Sequence, residues 1–138
     1  MSLQPSAHEA LIYLMVVMSA ADRDMTDAEL GSIGSVIHRL PVFKGFDENR
    51  IIEVARQCQQ ILQEDNGLER ILTAVRDVVP TRLHDTAYAL AVEVAAADVH
   101  VEPEEKRMLQ IVRGRLHIEP LVAAAIERAA RARHRPLV

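Results

Sequence analysis

Apolar residues recur along most of the chain at intervals of three and four positions, which is the spacing of amphipathic α-helices. Helix start and stop signals divide this pattern into seven predicted helices. Their spans are 6–21, 26–40, 47–64, 68–79, 81–97, 103–116 and 119 onward. The first contains an entirely apolar run at 10–18, and the fifth has a similar run at 87–97. Because a helix that is apolar on every side must be covered by other helices, these two are predicted to form the centre of the fold.

Composition favours a single all-α domain over residues 1–138. Aliphatic residues dominate, only 3% of residues are aromatic and tryptophan is absent. The net charge of −4 provides no overall positive field for nucleic acid. The apolar run at 10–18 is far shorter than the roughly 20 residues that span a bilayer, and no basic n-region of a cleavable signal peptide precedes it. We therefore expect a cytoplasmic protein with no transmembrane segment and no nucleic-acid partner.

The chain has one cysteine, Cys58, which cannot form an internal disulfide. It falls on the apolar face that Ile51, Ala55 and Leu62 define in the third predicted helix. A buried, unreactive thiol is therefore expected.

An internal repeat relates the two ends of the chain. The stretch 20–29 returns as 96–105, an offset of 76 positions without a gap. The copies extend over about 6–40 and 82–116, and each is predicted to be an apolar helix, an acidic turn and a second helix. The fold is thus predicted to contain two pseudo-symmetric helix-turn-helix repeats. The identical pairs within the acidic stretch are Ala20/Ala96, Ala21/Ala97, Asp22/Asp98 and Glu29/Glu105.

The two acidic turns are the candidate functional site. Asp22 and Asp98 end the first helix of each copy, and Glu29 and Glu105 lie in the first turn of the next helix. Because a short helix-turn-helix brings these ends together, the two carboxylates of each copy could converge on one point. A hard divalent cation such as Ca²⁺ takes six or more oxygen ligands and tolerates irregular geometry. His100, in the second turn, would favour a softer metal such as Zn²⁺.

Helix capping explains part of the same acidic pattern without a metal. Thr26 and Glu29 have the spacing of a capping box, and a proline opens the helix that contains Glu105. Capping does not explain Asp22 and Asp98, because the helix dipole disfavours an anion at a C-terminus. These two aspartates require a cation, a basic partner or a backbone hydrogen bond.

The doubled signature Ala-Ala-Asp-x-x-x-(Ser/Thr/Glu)-x-x-Glu, together with seven predicted helices, resembles the tellurite-resistance TerB family and its relatives, including the N-terminal domain of DjlA-type co-chaperones. The resemblance covers about residues 8–116 and implies an all-α fold of two pseudo-symmetric halves. It also implies a link to tellurite and other stress responses, often near the inner membrane face. The residues it implies as metal ligands are Asp22, Glu29, Asp98 and Glu105.

The sequence departs from the family pattern directly after each aspartate. Arg23 and Val99 stand where the family usually has glycine. Glycine adopts a positive φ at little cost and valine does not, so the turns either avoid that conformation or have a different geometry. The guanidinium of Arg23 could also take the place of a cation beside Asp22.

Two other patterns are given structural interpretations. His8 and His84 match across the repeat and each precedes an acidic residue, but no nucleophile stands beside them, so we expect ordinary residues on solvated helix starts. The basic tail at about 128–138 is expected to complement the dipole of the seventh helix, with anion binding as the alternative. The residues of that helix predicted to face inward are Leu121, Val122, Ala125, Ile126 and Ala129.

Two functional hypotheses follow. In the first, a stress-response protein binds a divalent cation (Ca²⁺, Mg²⁺, Mn²⁺ and Zn²⁺ remain open) through the paired acidic turns and acts on a protein or membrane-associated partner. In the second, a metal-free helical module uses the acidic residues as caps and binds the basic groups of a partner. A homodimer is open in both cases. An enzyme is not expected, because the sequence contains no nucleophile–base constellation and no cofactor motif.

Overall fold

The computed structural model describes residues 3–20, 24–96 and 103–138. Within these ranges the chain forms helices and no strand, which confirms the predicted all-α class. None of these helices is long and apolar enough to cross a membrane. Short 3-10 turns lie in the connections at Pro41–Phe43, Glu48–Arg50 and Thr81–Leu83. The α-helices are α1 (Ala7–Ala20), α2 (Asp27–Arg39), α3 (Ile51–Leu62), α4 (Gly67–Val78), α5 (His84–Ala96), α6 (Pro103–Arg115) and α7 (Pro120–Arg133).

The predicted start of the first helix is confirmed, whereas the predicted starts of the third and fifth helices are wrong because 3-10 turns precede α3 and α5. Ser6 and Glu9 form a reciprocal capping box at the start of α1, with nitrogen-to-oxygen distances of 2.8 and 3.1 Å. Asp47 caps a 3-10 turn rather than α3 itself, because its Oδ1 accepts the Asn49 N–H at 3.0 Å. A second 3-10 turn occupies the first residues of the predicted fifth helix, so α5 begins at His84.

Helix α1 lies at the centre of the fold. Every residue from Ala10 to Met18 is at most 5% exposed, and the helix packs against α3, α4 and α5. Cys58 of α3 is fully buried, and its thiol donates to the Tyr13 carbonyl at 3.6 Å. The expected burial is therefore confirmed. Burial raises the pKa of this thiol to about 12, which supports the expectation of low reactivity.

The helix bounds keep the register of the sequence repeat. Helices α1 and α5 end at Ala20 and Ala96, and α2 (27–39) and α6 (103–115) begin and end at matched positions. The packing is also reciprocal, since α1 and α5 pack side by side, α1 contacts α6 and α2 contacts α5. Whether the two halves superpose in space stays a prediction.

The prediction of which α7 residues face inward is wrong in part. Leu121 is 84% exposed, and Ala125 and Ala129 are exposed as well. The residues that turn towards α5 are instead Ala123 and Ala130, both buried, with Ile126 half-buried between them. Small side chains let α7 lie close against α5, so the packed face follows the alanines rather than the largest apolar residues.

The expectation that His8 and His84 lie on solvated turns is also wrong. His8 is half-buried, with its Nε2 2.9 Å from the Val42 carbonyl oxygen and its ring stacked on Phe43. His84 is 9% exposed, with its Nε2 2.9 Å from the Val79 carbonyl oxygen. Because a carbonyl only accepts, each Nε2 carries a proton and each ring ties down a neighbouring segment.

Candidate functional site: the two acidic turns

Glu29 closes a capping box at the start of α2. The Thr26 backbone N–H donates to Glu29 Oε1 at 2.9 Å, and the Glu29 N–H donates to Thr26 Oγ1 at 3.1 Å. Thr26 has the extended backbone of an N-cap, with φ −78° and ψ 162°. One carboxylate oxygen of Glu29 is thus held at the start of its own helix. A carboxylate has about four lone-pair sites, so this bond leaves ligation by the same group chemically feasible.

Glu105 is the third residue of α6, as Glu29 is the third residue of α2. Its Oε2 atom is shielded from solvent, whereas the preceding Glu104 is exposed. An ionised carboxylate oxygen is expensive to remove from water unless the site compensates its charge. Glu105 therefore lies in the first turn of α6 with one carboxylate oxygen withdrawn from solvent.

The remaining predicted ligands, Asp22 and Asp98, lie outside the described residues, as do Arg23, Val99 and His100. The convergence of each aspartate with the glutamate of its turn thus stays a prediction. Among the described residues, no group of three or more histidine, cysteine, aspartate or glutamate side chains is placed to hold a metal. A metal bound at Glu29 or Glu105 would need ligands from the turn aspartates, from the backbone or from water.

Sequence reasoning missed an ion-pair clamp at the end of α7. Arg133 Nη2 lies 2.6 Å from Glu93 Oε2, and His134 Nε2 lies 2.9 Å from Glu93 Oε1. Burial raises the pKa of Glu93, but the hydrogen bonds and charges of Arg133 and His134 outweigh this effect and lower the pKa below its usual value. Part of the basic tail is therefore engaged with α5, and its sequence signal was only the excess of arginine.

A cleft of about 630 Å³ between α5, α6 and α7 was also missed. At its wall the Tyr88 hydroxyl donates to Glu127 Oε2 at 2.6 Å. Burial and this hydrogen bond raise the pKa of Tyr88, against the opposing effect of the Arg113 charge. The cleft forms because α6 and α7 both pack on α5. No local sequence pattern predicts this arrangement of three helices.

The comparisons with known proteins agree with this architecture. The family model described as "Tellurite resistance protein TerB" matches residues 8–131, which include all of α1 but its first residue, α2 to α6, most of α7 and both acidic turns. Searches of curated proteins and of solved structures found no match. The chain therefore belongs to the TerB family of tellurite resistance proteins.

Proposed function

We propose that this protein is a cytoplasmic stress-response protein that binds a divalent cation through its two acidic turns and acts on a protein or membrane-associated partner. The role is that of a non-catalytic binding protein. It rests on membership of the TerB family and on one structural observation. That observation is the equivalent placement of Glu29 and Glu105, each at the third position of the helix that follows a central apolar helix.

The proposed ligands are Asp22 and Glu29 in the first turn and Asp98 and Glu105 in the second. Oxygen donors of this kind suit Ca²⁺, Mg²⁺ or Mn²⁺, and His100 would bring Zn²⁺ into range in the second turn. Binding a cation would offset the unfavourable charge of Asp22 and Asp98, which the sequence places two residues beyond the ends of α1 and α5. It would also tie the end of each central helix to the start of its partner helix.

The alternative is a metal-free interaction module. The capping box of Glu29 favours it, because this glutamate already has a structural role at the start of α2. In that case the acidic turns would serve α2 and α6 as caps and would meet basic groups of a partner. The two functions differ in whether the carboxylates of the acidic turns bind a cation.

Calorimetric titration of the chelator-treated protein with Ca²⁺, Mg²⁺, Mn²⁺ and Zn²⁺ tests the proposal. The decisive variants are Glu29→Gln and Glu105→Gln, since glutamine can still complete a capping box but carries no charge. We expect saturable binding in the unmodified protein and a loss of at least roughly tenfold in affinity in each variant. Asp22→Asn and Asp98→Asn should give the same loss in their own turns.

Glu9→Gln is the matched control. Glu9 belongs to the same kind of capping box, but at the start of α1, about 16 Å along the helix axis from Ala20, the last helical residue before the first acidic turn. We expect this variant to bind the cation as the unmodified protein does. The absence of heat and of any thermal shift at millimolar cation would overturn the metal proposal and favour the metal-free module. Unchanged affinity in the glutamine variants would assign the ion to other ligands.

A further inference from the structure

We propose that the cleft between α5, α6 and α7 binds a small amphipathic anion, specifically an aliphatic carboxylate. Among the described residues, the lining of the cleft includes no residue of α2 and neither Glu29 nor Glu105, although Lys106 directly follows Glu105, so the proposed ligand site goes beyond the cation function proposed above. Its volume of about 630 Å³ lies within the range of roughly 300–1,000 Å³ typical of small-molecule sites. The residues that line it are Tyr88, Val92, Ala95, Ala96, Lys106, Leu109, Gln110, Arg113, Glu127, Ala130 and Arg131.

The floor of the cleft is apolar and built from short side chains. Val92 and Ala95 of α5 and Ala130 of α7 are at most 4% exposed, and Leu109 of α6, which also lines the cleft, is half-buried. Because the alanines reach so little into the space between the helices, they leave room that a longer side chain would fill. An alkyl chain suits such a floor, because it has no polar group that would lose a hydrogen bond to water when it is buried there.

The lining of the cleft carries a surplus of positive charge. Lys106, Arg113 and Arg131 contribute three cations, and Glu127 contributes one carboxylate. Within the part of the chain that the structure describes, none of these three cations takes part in an ion pair. The neighbouring Arg133 behaves differently, since it pairs with Glu93.

Glu127 has a defined partner of its own. Its Oε2 accepts the hydroxyl of Tyr88, which is 1% exposed. This bond fixes the carboxylate against the wall, and the half-buried Arg113 lies close enough to Tyr88 for its charge to act on the hydroxyl. A ligand carboxylate near Arg113 would therefore meet a guanidinium that no carboxylate of the described residues pairs with, and bidentate Arg–carboxylate geometry is favourable.

Titration with decanoate, followed by tyrosine fluorescence, tests this proposal. The protein has two tyrosines and no tryptophan, and Tyr88 lines the cleft whereas Tyr13 lies in α1. In a Tyr13→Phe background the signal reports on Tyr88 alone. We expect saturable binding of decanoate below the concentration at which it forms micelles. Decanol, which has the same chain and no charge, should bind at least roughly tenfold more weakly.

Substitutions separate the head group from the chain. Arg113→Gln should weaken decanoate binding roughly tenfold and leave decanol binding unchanged. Ala96→Leu, at the half-buried end of α5, should weaken both ligands because it fills the cleft. Arg128→Gln is the matched control, since Arg128 is an exposed arginine of the same helix as Arg131 but does not line the cleft. Circular dichroism would confirm that each variant is folded, and the exposed Lys106→Gln provides a second head-group variant.

Three outcomes would overturn the proposal. The first is the absence of saturable binding of decanoate. The second is equal binding of decanoate and decanol, or equal effects of Arg113→Gln and Arg128→Gln, which would indicate non-specific association. The third is binding to anionic vesicles without binding of monomeric decanoate, which would make this face a membrane-contact surface instead.

Discussion

Helices α1 and α5 occupy matched positions in the sequence repeat, yet they are buried to different degrees. In α1 every residue from Ala10 to Met18 is covered. In α5 Glu93 and Val94 are half-buried, and Tyr88 and Val92 border an open cleft. The reason is their neighbours, since α3 and α4 pack on α1, whereas α5 is covered by α6 and α7 with a gap between them. Two copies of one pattern thus give a structural core in the first half and an accessible surface in the second.

The sharpest test of this contrast exchanges residues between matched positions. Val17 of α1 is 2% exposed, and the equivalent residue of α5 is Glu93, whose side chain is 18% exposed and ion-paired. Val17→Glu should destabilise the protein by more than about 4 kcal/mol or prevent folding, because it buries an unpaired carboxylate. Glu93→Val should cost only about 1 kcal/mol, because Arg133 is exposed enough to be hydrated. Urea unfolding followed by circular dichroism would measure both, and equal losses would contradict the contrast.

A smaller difference is expected at the identical pair Val16 and Val92. Val16 is fully buried, so Val16→Ala should leave a cavity and cost about 2–3 kcal/mol. Val92 lines the cleft, so the space opened by Val92→Ala joins this open volume rather than forming a closed cavity, and the cost should be about 1 kcal/mol. The unfolding midpoints of the two variants test this directly. A larger loss for Val92→Ala would show that the cleft is closed in solution.

The clamp on Glu93 predicts a dependence of stability on pH. Its pKa in the folded protein lies below the ordinary value of 4.5, so the folded state binds fewer protons than the unfolded state in this range. Its contribution is fully present above pH 4.5 and is lost as the pH falls through the folded pKa. Glu93→Gln should therefore lose less stability than the unmodified protein between neutral pH and pH values below 4.5, measured by urea midpoints.

Glu9 gives the counterpart of this experiment in the first half. Its pKa is also lowered, first by the Ser6 backbone hydrogen bond and then by Arg50. Glu9→Gln, like Glu93→Gln, should reduce the loss of stability as the pH falls below 4.5. If the acid limb of both variants matched that of the unmodified protein, neither ion pair would contribute to the pH dependence.

The smallest expected effect concerns α2, which has glycines where α6 has Arg107 and Gln110. A Cβ added at Gly31 would meet no atom within 4 Å, so Gly31→Ala should stabilise the protein by about 0.5–1 kcal/mol through helix propensity. Gly67→Ala is the contrasting control, because its Cβ would lie 2.0 Å from the Ile61 carbonyl oxygen. Differential scanning calorimetry should give opposite shifts, and a lower Tm for Gly31→Ala would contradict the exposed environment of this glycine.

The parts of the fold that were predicted from the sequence are those that local chemistry determines. The capping boxes of Ser6 and Thr26 and the burial of Cys58 follow from residue type and spacing. The inward face of α7 could not be predicted correctly, because close approach to α5 selected Ala123 and Ala130 over the larger Leu121. Helical periodicity defines a stripe but does not determine which part of it faces a neighbour that is distant in sequence.

The candidate site divides in the same way. The role of Glu29 at the start of α2 was predicted, because a capping box is a property of four consecutive residues. The carbonyl partners of His8 and His84, the clamp on Glu93 and the cleft at Tyr88 were not predicted. Each of these features joins residues of different segments, and the distance between those segments is determined only when the helices pack together.

The position of Cys58 has a consequence for when its thiol can react. Its sulfur is covered by α1, and the thiol donates a hydrogen bond to the Tyr13 carbonyl oxygen, so α3 must separate from α1 before an oxidant or a second thiol can reach it. Folded molecules are therefore protected from disulfide cross-linking, whereas molecules in which α3 has separated from α1 expose the Cys58 thiol. The rate at which this thiol is alkylated measures how often the two helices separate, and it distinguishes damaged molecules from intact ones.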